Sequence, residues 1–316
     1  MTPRAEACDP ARPLGTGRPA AAGVETHPGP GYDASDSVGE LDRIAARVRE
    51  RVTRMCAGPE GGHLGGSLSL VEVLTTLYFS SLNITAANVD HPDRDIVILS
   101  KGHAGAALYA TLVERGILPA EHTDRYGQPG APLGGHPSPH VPGIEVATGS
   151  LGHGLGIGVG YALARRLQGR PGRVVVVLGD GELQEGAVWE AALVAAARRL
   201  GNLTAVVDKN GLQQSTSTAA VLGSVDPAAG LGALGWTIAN VDGHDLRALG
   251  ATLAAPTGAG GSLPSAPLLV VAETVKARGI AFLERKVGSH FVTLDESRLA
   301  RSLQALTSTG PGAGGS

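Results

Sequence analysis

Cysteine is nearly missing from this sequence: Cys8 and Cys56 are the two thiols in 316 residues. Such a pair cannot form a disulfide framework, and neither has neighbouring metal ligands, so a reduced, cytoplasmic setting is expected. No apolar run is long enough to span a bilayer, and the amino-terminal stretch MTPRAEACDPARPLGTGRPAAAG has no apolar segment of the signal-peptide kind. The expectation is a soluble, unexported protein with no membrane association. An excess of charge is lacking too. Lys and Arg number 26 against 29 Asp and Glu, a formal charge of −3, and nothing in that balance suggests a nucleic-acid or membrane-surface partner. Aromatic residues make up 3%, whereas Gly reaches 47 residues, a bias that close helix packing and genome composition can both produce. These glycines form no dinucleotide fingerprint, because Ile157, Val159 and Tyr161 fall where the third Gly of Gly-x-Gly-x-x-Gly would have to be. Walker and zinc-protease patterns are likewise absent.

What is present is an alternation of short apolar runs and amphipathic stretches, in a length that suits one large α/β domain or two small ones. Residues 1–36, rich in Pro, Gly and Ala without periodicity, read as a disordered extension. From Ser37 the pattern changes. Leu41, Ile44, Ala45, Val48, Val52 and Met55 mark one face of a helix, and Ser37 and Glu40 are spaced like a capping box. A Gly-rich loop follows at 61–69 (GGHLGGSLS), then an apolar helix from Leu70 to Phe79. Asp93 to Ser100 reads as a strand ending in Lys101-Gly102-His103. Residues 126–154 form a long Gly/Pro-rich loop carrying His136, His140 and His153, and loops of that length are functional or disordered. A helix follows on which Gly152, Gly156 and Gly160 recur at every fourth position, allowing close packing on another backbone. Beyond Ser215 the pattern gives a loop with short helical turns, a strand at Trp236–Ala239, a helix at Asp245–Ala254, a linker over 255–266 and a strand at Pro267–Ala272. The domain is placed at 37–300 and a Gly-rich flexible tail at 301–316.

The most informative stretch runs from Arg173 to Ser215. Val174 to Leu178 is a continuous apolar run, as a parallel strand buried on both faces requires, and it stops at Gly179-Asp180-Gly181. Trp189, Ala192, Leu193, Ala196, Ala197 and Leu200 recur at helical spacing, and Leu203 to Val207 is a second strand ending at Asp208-Lys209-Asn210-Gly211. In a right-handed βαβ unit the carboxyl ends of neighbouring strands share one edge of the sheet, so Asp180 and Asn210 can converge. A carboxylate and a carboxamide oxygen are hard ligands suited to Mg²⁺ or Ca²⁺. Five strand candidates alternate with helices, and four end in ligand-capable residues. The fold class is α/β: a doubly wound parallel sheet with helices on both faces and one crevice.

Gly-Asp-Gly at 179–181 with Asn210 resembles the thiamine-diphosphate motif, and the wording GDGELQEG with NGLQ is similar to the amino-terminal, diphosphate-binding half of the transketolase family. GGHLGGS around His63, SKGHA around His103, GGHPSP around His136 and TGSLGHG at 148–154 extend the resemblance over 37 to about 296, in the family's order. It implies Mg²⁺ (or Ca²⁺ or Mn²⁺ in its stead) on Asp180, Asn210 and the Leu212 carbonyl. It places Lys101, His103, Gly149, Ser150, Leu151, Gly181, Glu182, Lys276 and His290 around thiamine diphosphate, and His63, His136 and His290 at substrate hydroxyls. His63, His103, His136, His290 and Glu185 are the catalytic candidates, Glu185 matching a position that communicates across a dimer interface. Two departures stand out: Ser289-His290-Phe291 replaces the usual Trp-His-Gly, and Ala277 replaces a Gly. The implied activity is transfer of a two-carbon ketol unit from a ketose or its phosphate to an aldose. The family's activating carboxylate belongs to a pyrimidine domain not found in this sequence, so a split enzyme is expected. Its partner would be a carboxy-terminal pyrimidine-domain subunit in an α₂β₂ assembly, and this chain alone would be inactive. The alternatives are an α-type subunit of another thiamine-diphosphate enzyme, such as a 2-oxo acid dehydrogenase or a deoxyxylulose-phosphate-synthase-like protein, and a non-catalytic cofactor-binding homologue.

Overall fold

Valine dominates the runs that form the centre of the molecule, and in the computed structural model, which describes residues 37–254 and 264–308, those runs pair as one parallel sheet. Its strands are β1 (Ile96–Leu99), β2 (Val174–Gly179), β3 (Leu203–Lys209), β4 (Thr237–Asp242) and β5 (Leu268–Glu273), in the spatial order β1-β2-β3-β5-β4. Pairing is in register across the three central strands: Val176 lies opposite Ile98 and Ala205, and Ala205 opposite Leu269. Because side chains alternate along a strand, the same runs feed two cores. Val97, Leu99, Val175, Val177, Val206 and Val270 join one. Ile96, Ile98, Val174, Val176, Leu178, Ala205, Val207 and Val271 join the other. All five expected strands exist, and the doubly wound class with helices on both faces is the one observed.

The first core is covered by α1 (Ser37–Met55), α2 (Leu64–Leu68), α3 (Val71–Thr76), α4 (Gly105–Glu114) and, later in the chain, α9 (Leu246–Leu253). The second lies under α5 (His153–Gln168), α6 (Gly186–Ala197) and α8 (Pro227–Ala233), with the single-turn α7 (Thr218–Leu222) before it. Each of the six apolar α1 positions is buried, at 0–7% exposure, which fixes that helix's inward face. The Ser37 side chain lies outside the described residues, and Glu40 pairs with Arg43 and Arg47.

Several local expectations are corrected. The Gly-rich stretch 61–69 is a loop only at its start, because Leu64–Leu68 closes into a helical turn with Leu64 and Leu68 fully buried. The helix expected to run from Leu70 to Phe79 ends at Thr76 and widens into a π-helical turn, Leu77–Ser81. In α6, Leu193 and Ala197 face outward while Val188, Ala191, Ala192 and Ala195 are buried. A helix apolar all round gives periodicity no face to choose. Residues 301–308 are not tail: they belong to α10 (Glu296–Ser308), which packs on α1. The extension at 1–36, linker residues 255–263 and the tail at 309–316 lie outside the described residues. No helix among the described residues is long and apolar enough to cross a membrane.

The close-packing glycines of α5 are also different ones. Gly156 and Gly160 have open space around them, whereas a Cβ on Gly154 would sit 2.3 Å from Ser100 Oγ and one on Gly158 2.4 Å from Val176 Cγ2. Glycines recur at every second position here, so sequence spacing alone does not say which pair meets the sheet. Gly158→Ala is therefore expected to destabilise the chain by about 1–3 kcal/mol through overpacking. Gly160→Ala should be neutral or stabilising by roughly 0.5–1 kcal/mol through helix propensity. Thermal melts of the two variants check this, and equal effects would contradict the packing.

Candidate active site

Four strands deliver polar residues to one edge of the sheet, as the carboxyl ends of parallel strands must. Lys101 and His103 follow β1, Asp180 to Glu182 follow β2, Asp208 to Leu212 end and follow β3, and Thr274 to Lys276 follow β5. Of these, Lys101, His103, Asp180 to Glu182, Asn210, Leu212 and Lys276 line a crevice of about 370 Å³ together with His63, His136, Gly149, Leu151, Glu185 and His290. A larger cleft between α1 and α10 holds none of the expected residues, and another, of about 440 Å³, adjoins the crevice and shares Asp180 and Asn210 with it.

Asp180 is fixed by two backbone donors, Gly181 N to Oδ1 at 2.8 Å and Gly211 N to Oδ2 at 2.7 Å. Burial and the nearby Asp208 charge nevertheless push its pKa up to about 6, which a bound cation would reverse. Asn210 donates from Nδ2 to Asp208 at 3.0 Å and accepts at Oδ1 from Leu212 N at 3.1 Å. Lys276 is 1% exposed, and its Nζ lies 3.4 Å from the Leu212 carbonyl, 2.9 Å from that of Gln213 and 3.3 Å from His290 Nδ1. Burial and then Lys101 lower its pKa to about 8. No group of three or more His, Cys, Asp or Glu is placed to hold a metal ion among the described residues. A cation here would depend on Asp180, the Asn210 oxygen, a main-chain carbonyl and an anionic ligand, a hard-oxygen set of the Mg²⁺ kind.

The imidazoles come together through a main-chain device. Gly62 pairs with Val292 in both directions, at 2.9 and 3.0 Å, which carries His290 up to His63. The His63 ring centre lies 5.4 Å from His103, 5.9 Å from His136, 5.3 Å from His290 and 5.0 Å from Phe291. Burial, then the neighbouring His136 and lysines, lowers the His63 pKa to about 4. Burial and Lys276 do the same for His290, also to about 4, and His103 is driven further down by burial and Lys101. At neutral pH these rings are uncharged, with one donor and one acceptor nitrogen each. Gly149, at φ +143°, lies where a Cβ would come within 2.8 Å of the His136 ring, and Gly66 where one would reach 3.3 Å from His103 Nε2. Side chains at those glycines would fill the cradle.

Two expected contacts sit differently. The Lys101 ammonium, 2% exposed, is held by Asp208 and the Gly66 carbonyl inside the crevice wall. Glu182, also 2% exposed, spends its carboxylate on Gly152 N (2.8 Å), Gly179 N (3.1 Å) and Ser100 Oγ, so it shapes the loops around the crevice. Ser150, Leu151, Glu185 and His136 stand exposed at the rim, and His140 and His153 lie outside the crevice.

The sequence reading missed three features. Asp208 is fully buried, and although burial opposes it, Lys101 and the surrounding hydrogen bonds hold its carboxyl below the usual range. It ends an apolar run as Asp180 follows one, and that signal could have found it. Gln184 and Gln213 each bring a buried Nε2 without a hydrogen-bond partner to the crevice lining, donors suited to an anionic ligand. Behind the site, His244 accepts from Val275 N at 2.8 Å and meets Glu72 at 2.9 Å. That bond steadies the backbone beside Lys276, and nothing local in the sequence marks it.

The chain matches the family model described as transketolase, thiamine diphosphate binding domain, over residues 42–308. It is 39% identical over 258 residues to an apulose-4-phosphate transketolase subunit of Actinobacillus succinogenes, covering 80% of this chain and 91% of that protein. It is 37% identical over 271 residues to 6-deoxy-6-sulfo-D-fructose transketolase subunit SqwG of a Clostridium species, covering 84% and 96%. The transketolase of Pichia stipitis solved with sedoheptulose-7-phosphate superposes with a TM-score of 0.76 at 30% identity. That match covers 83% of this chain and 40% of the solved one.

The depressed imidazoles give the site a pH signature. Between pH 6.5 and about 4 the unfolded chain binds protons at His63 and His290 that the folded chain does not. Stability therefore falls as pH drops through that window and is insensitive to these groups above it. Asp180, raised to about 6, acts in the opposite sense below that pH. Melting temperature should fall less steeply from pH 7 to 4.5 in His63→Gln/His290→Gln than in the wild type. Parallel pH profiles would mean that the two rings titrate normally.

Proposed function

The chain belongs to the transketolase family, and on that premise we propose that it is the diphosphate-binding subunit of a split thiamine-diphosphate- and Mg²⁺-dependent transketolase. The observation that carries this reading is the convergence, in one crevice, of Asp180, Asn210 and the Leu212 carbonyl with two buried lysines and four imidazoles. The residues fit the group. Asp180, the Asn210 oxygen and the Leu212 carbonyl would hold the cation, and Lys276 with the unpartnered Gln213 amide would meet the diphosphate. Gly149 leaves room where a side chain would press on His136. Bound there, thiamine diphosphate would supply a nucleophilic carbon and a sink for the electron pair released from the sugar.

What this chain contributes is orientation and proton handling. Neutral His63 and His290 can each donate to one sugar hydroxyl and accept from another, and the His136 ring stands beside them, which suits a polyhydroxylated ketose. His290 Nδ1 lies 3.3 Å from the Lys276 ammonium, which can only donate, so that nitrogen is the ring's acceptor and Nε2 carries the proton. The alternative of a 2-oxo acid substrate leaves such a set of hydroxyl-binding imidazoles without a purpose. At the rim, Glu185 is exposed beside Gly152, and Leu151 and Phe291 are 37% and 50% exposed. Apolar side chains at the mouth of a polar crevice suit cover by a second polypeptide, and we assign that cover to a pyrimidine-domain subunit in an α₂β₂ assembly.

The test is an assay of the chain with its partner subunit, thiamine diphosphate and Mg²⁺, using a ketose donor and an aldose acceptor, with a 2-oxo acid in a parallel arm. Two-carbon transfer is expected from the pair and none from this chain alone. Asp180→Ala should lower the rate by roughly 100-fold or more, the loss of about 3 kcal/mol of metal-dependent stabilisation. Turnover by the isolated chain would refute the split assembly, and decarboxylation of the 2-oxo acid would reassign the reaction.

A further inference from the structure

Asp208 is the penultimate residue of β3, two positions before Asn210, has no exposed surface, and is where four separate chain segments meet. Its Oδ2 accepts from Ser69 Oγ at 2.7 Å, from Asn210 Nδ2 at 3.0 Å and from the Lys101 ammonium, and its Oδ1 accepts from Thr274 Oγ1. Ser69 follows α2, Lys101 follows β1, Asn210 follows β3 and Thr274 follows β5.

A carboxamide is a two-ended group whose orientation is set by its neighbours. A carboxylate behind it can only accept, so it takes the NH₂ end and leaves the oxygen on the other side. That oxygen is the end that accepts from Leu212 N at 3.1 Å, in the same loop whose Gly211 N holds Asp180. It keeps a second lone pair for a cation, which the NH₂ end would repel. The same carboxylate holds Lys101 Nζ 3.2 Å from the Gly66 carbonyl, at the glycine that lets the backbone come close to His103. We propose that Asp208 is a positioning residue that turns the oxygen end of Asn210 toward the cation and keeps the Lys101 ammonium in the crevice wall. The inference rests on the thiamine-diphosphate reading for the identity of the ligand.

The test measures binding of thiamine diphosphate and Mg²⁺ to the full chain by calorimetry, with circular dichroism as the check of folding. Asp208→Asn keeps a single acceptor oxygen and no charge for the donors Ser69, Lys101 and Asn210, so its hold on the Asn210 NH₂ end loosens and binding should weaken by roughly 10–100-fold, the range for loss of a partner behind a metal ligand. The exchange variant Asp208→Asn/Asn210→Asp keeps one carboxylate in the group near Lys101. It puts an oxygen ligand at 210 whichever way that side chain turns. It should bind within about tenfold of the wild type and more tightly than Asp208→Asn, a rescue that a merely structural carboxylate would not show. Should Asp208→Asn not fold, the exchange variant against the wild type decides alone. Unchanged binding in folded Asp208→Asn, or a folded exchange variant that has lost binding, overturns the inference. Absence of binding in the wild type, with its partner subunit present as well as without it, overturns the cofactor reading itself, and the inference with it.

Discussion

The buried contact between Lys101 and Asp208 is the constraint on which the rest of the crevice depends. Two opposite charges almost without solvent exposure tie the loop after β1 to the end of β3, across the intervening β2. Removing one partner of such a pair leaves an uncompensated buried charge and costs about 3–5 kcal/mol. Ser69 and Thr274 complete the set of donors around the carboxylate. The loops that surround the crevice are thus held by hydrogen bonds on the inside of the protein, and the groups facing the crevice stay free for a ligand.

Around this anchor the electrostatics are arranged in layers. Lys101 is neutralised from behind, whereas Lys276 faces main-chain carbonyls and a neutral imidazole and is lowered to about 8. Asp180, with no cation partner in contact, is raised to about 6. Those opposite shifts describe a site that favours the joint arrival of a cation at Asp180 and an anion at Lys276. A metal–diphosphate pair has both signs. His63 and His290 sit above this layer, uncharged because burial and the nearby charges, the two lysines among them, disfavour their protonated forms.

Much of this was legible in the sequence. Strand existence followed from short valine- and leucine-rich runs, and the site's location followed from polar residues recurring just past their ends. His63, His103, His136 and His290 could be gathered into one site only through resemblance, since no spacing rule connects residues as far apart as 63 and 290. Glu182 was placed at the cofactor by the resemblance alone, and only the tertiary structure shows its carboxylate accepting from main-chain donors at Gly152 and Gly179. Which glycines of α5 touch the sheet was undetermined by a pattern with Gly at every other position, and the outward face of α6 by a helix apolar on all sides.

By itself the sequence determined the parallel α/β class and the pair Asp180 and Asn210 at neighbouring strand ends, because apolar runs of strand length force burial and parallel strands place their carboxyl ends on one edge. Only the tertiary structure decided what stands behind those residues. Asp208, Lys101, Ser69 and Thr274 meet through strand pairing and helix packing between segments up to 205 positions apart (274 − 69). Whether a buried polar side chain is a ligand or a support depends on which partners reach it in space.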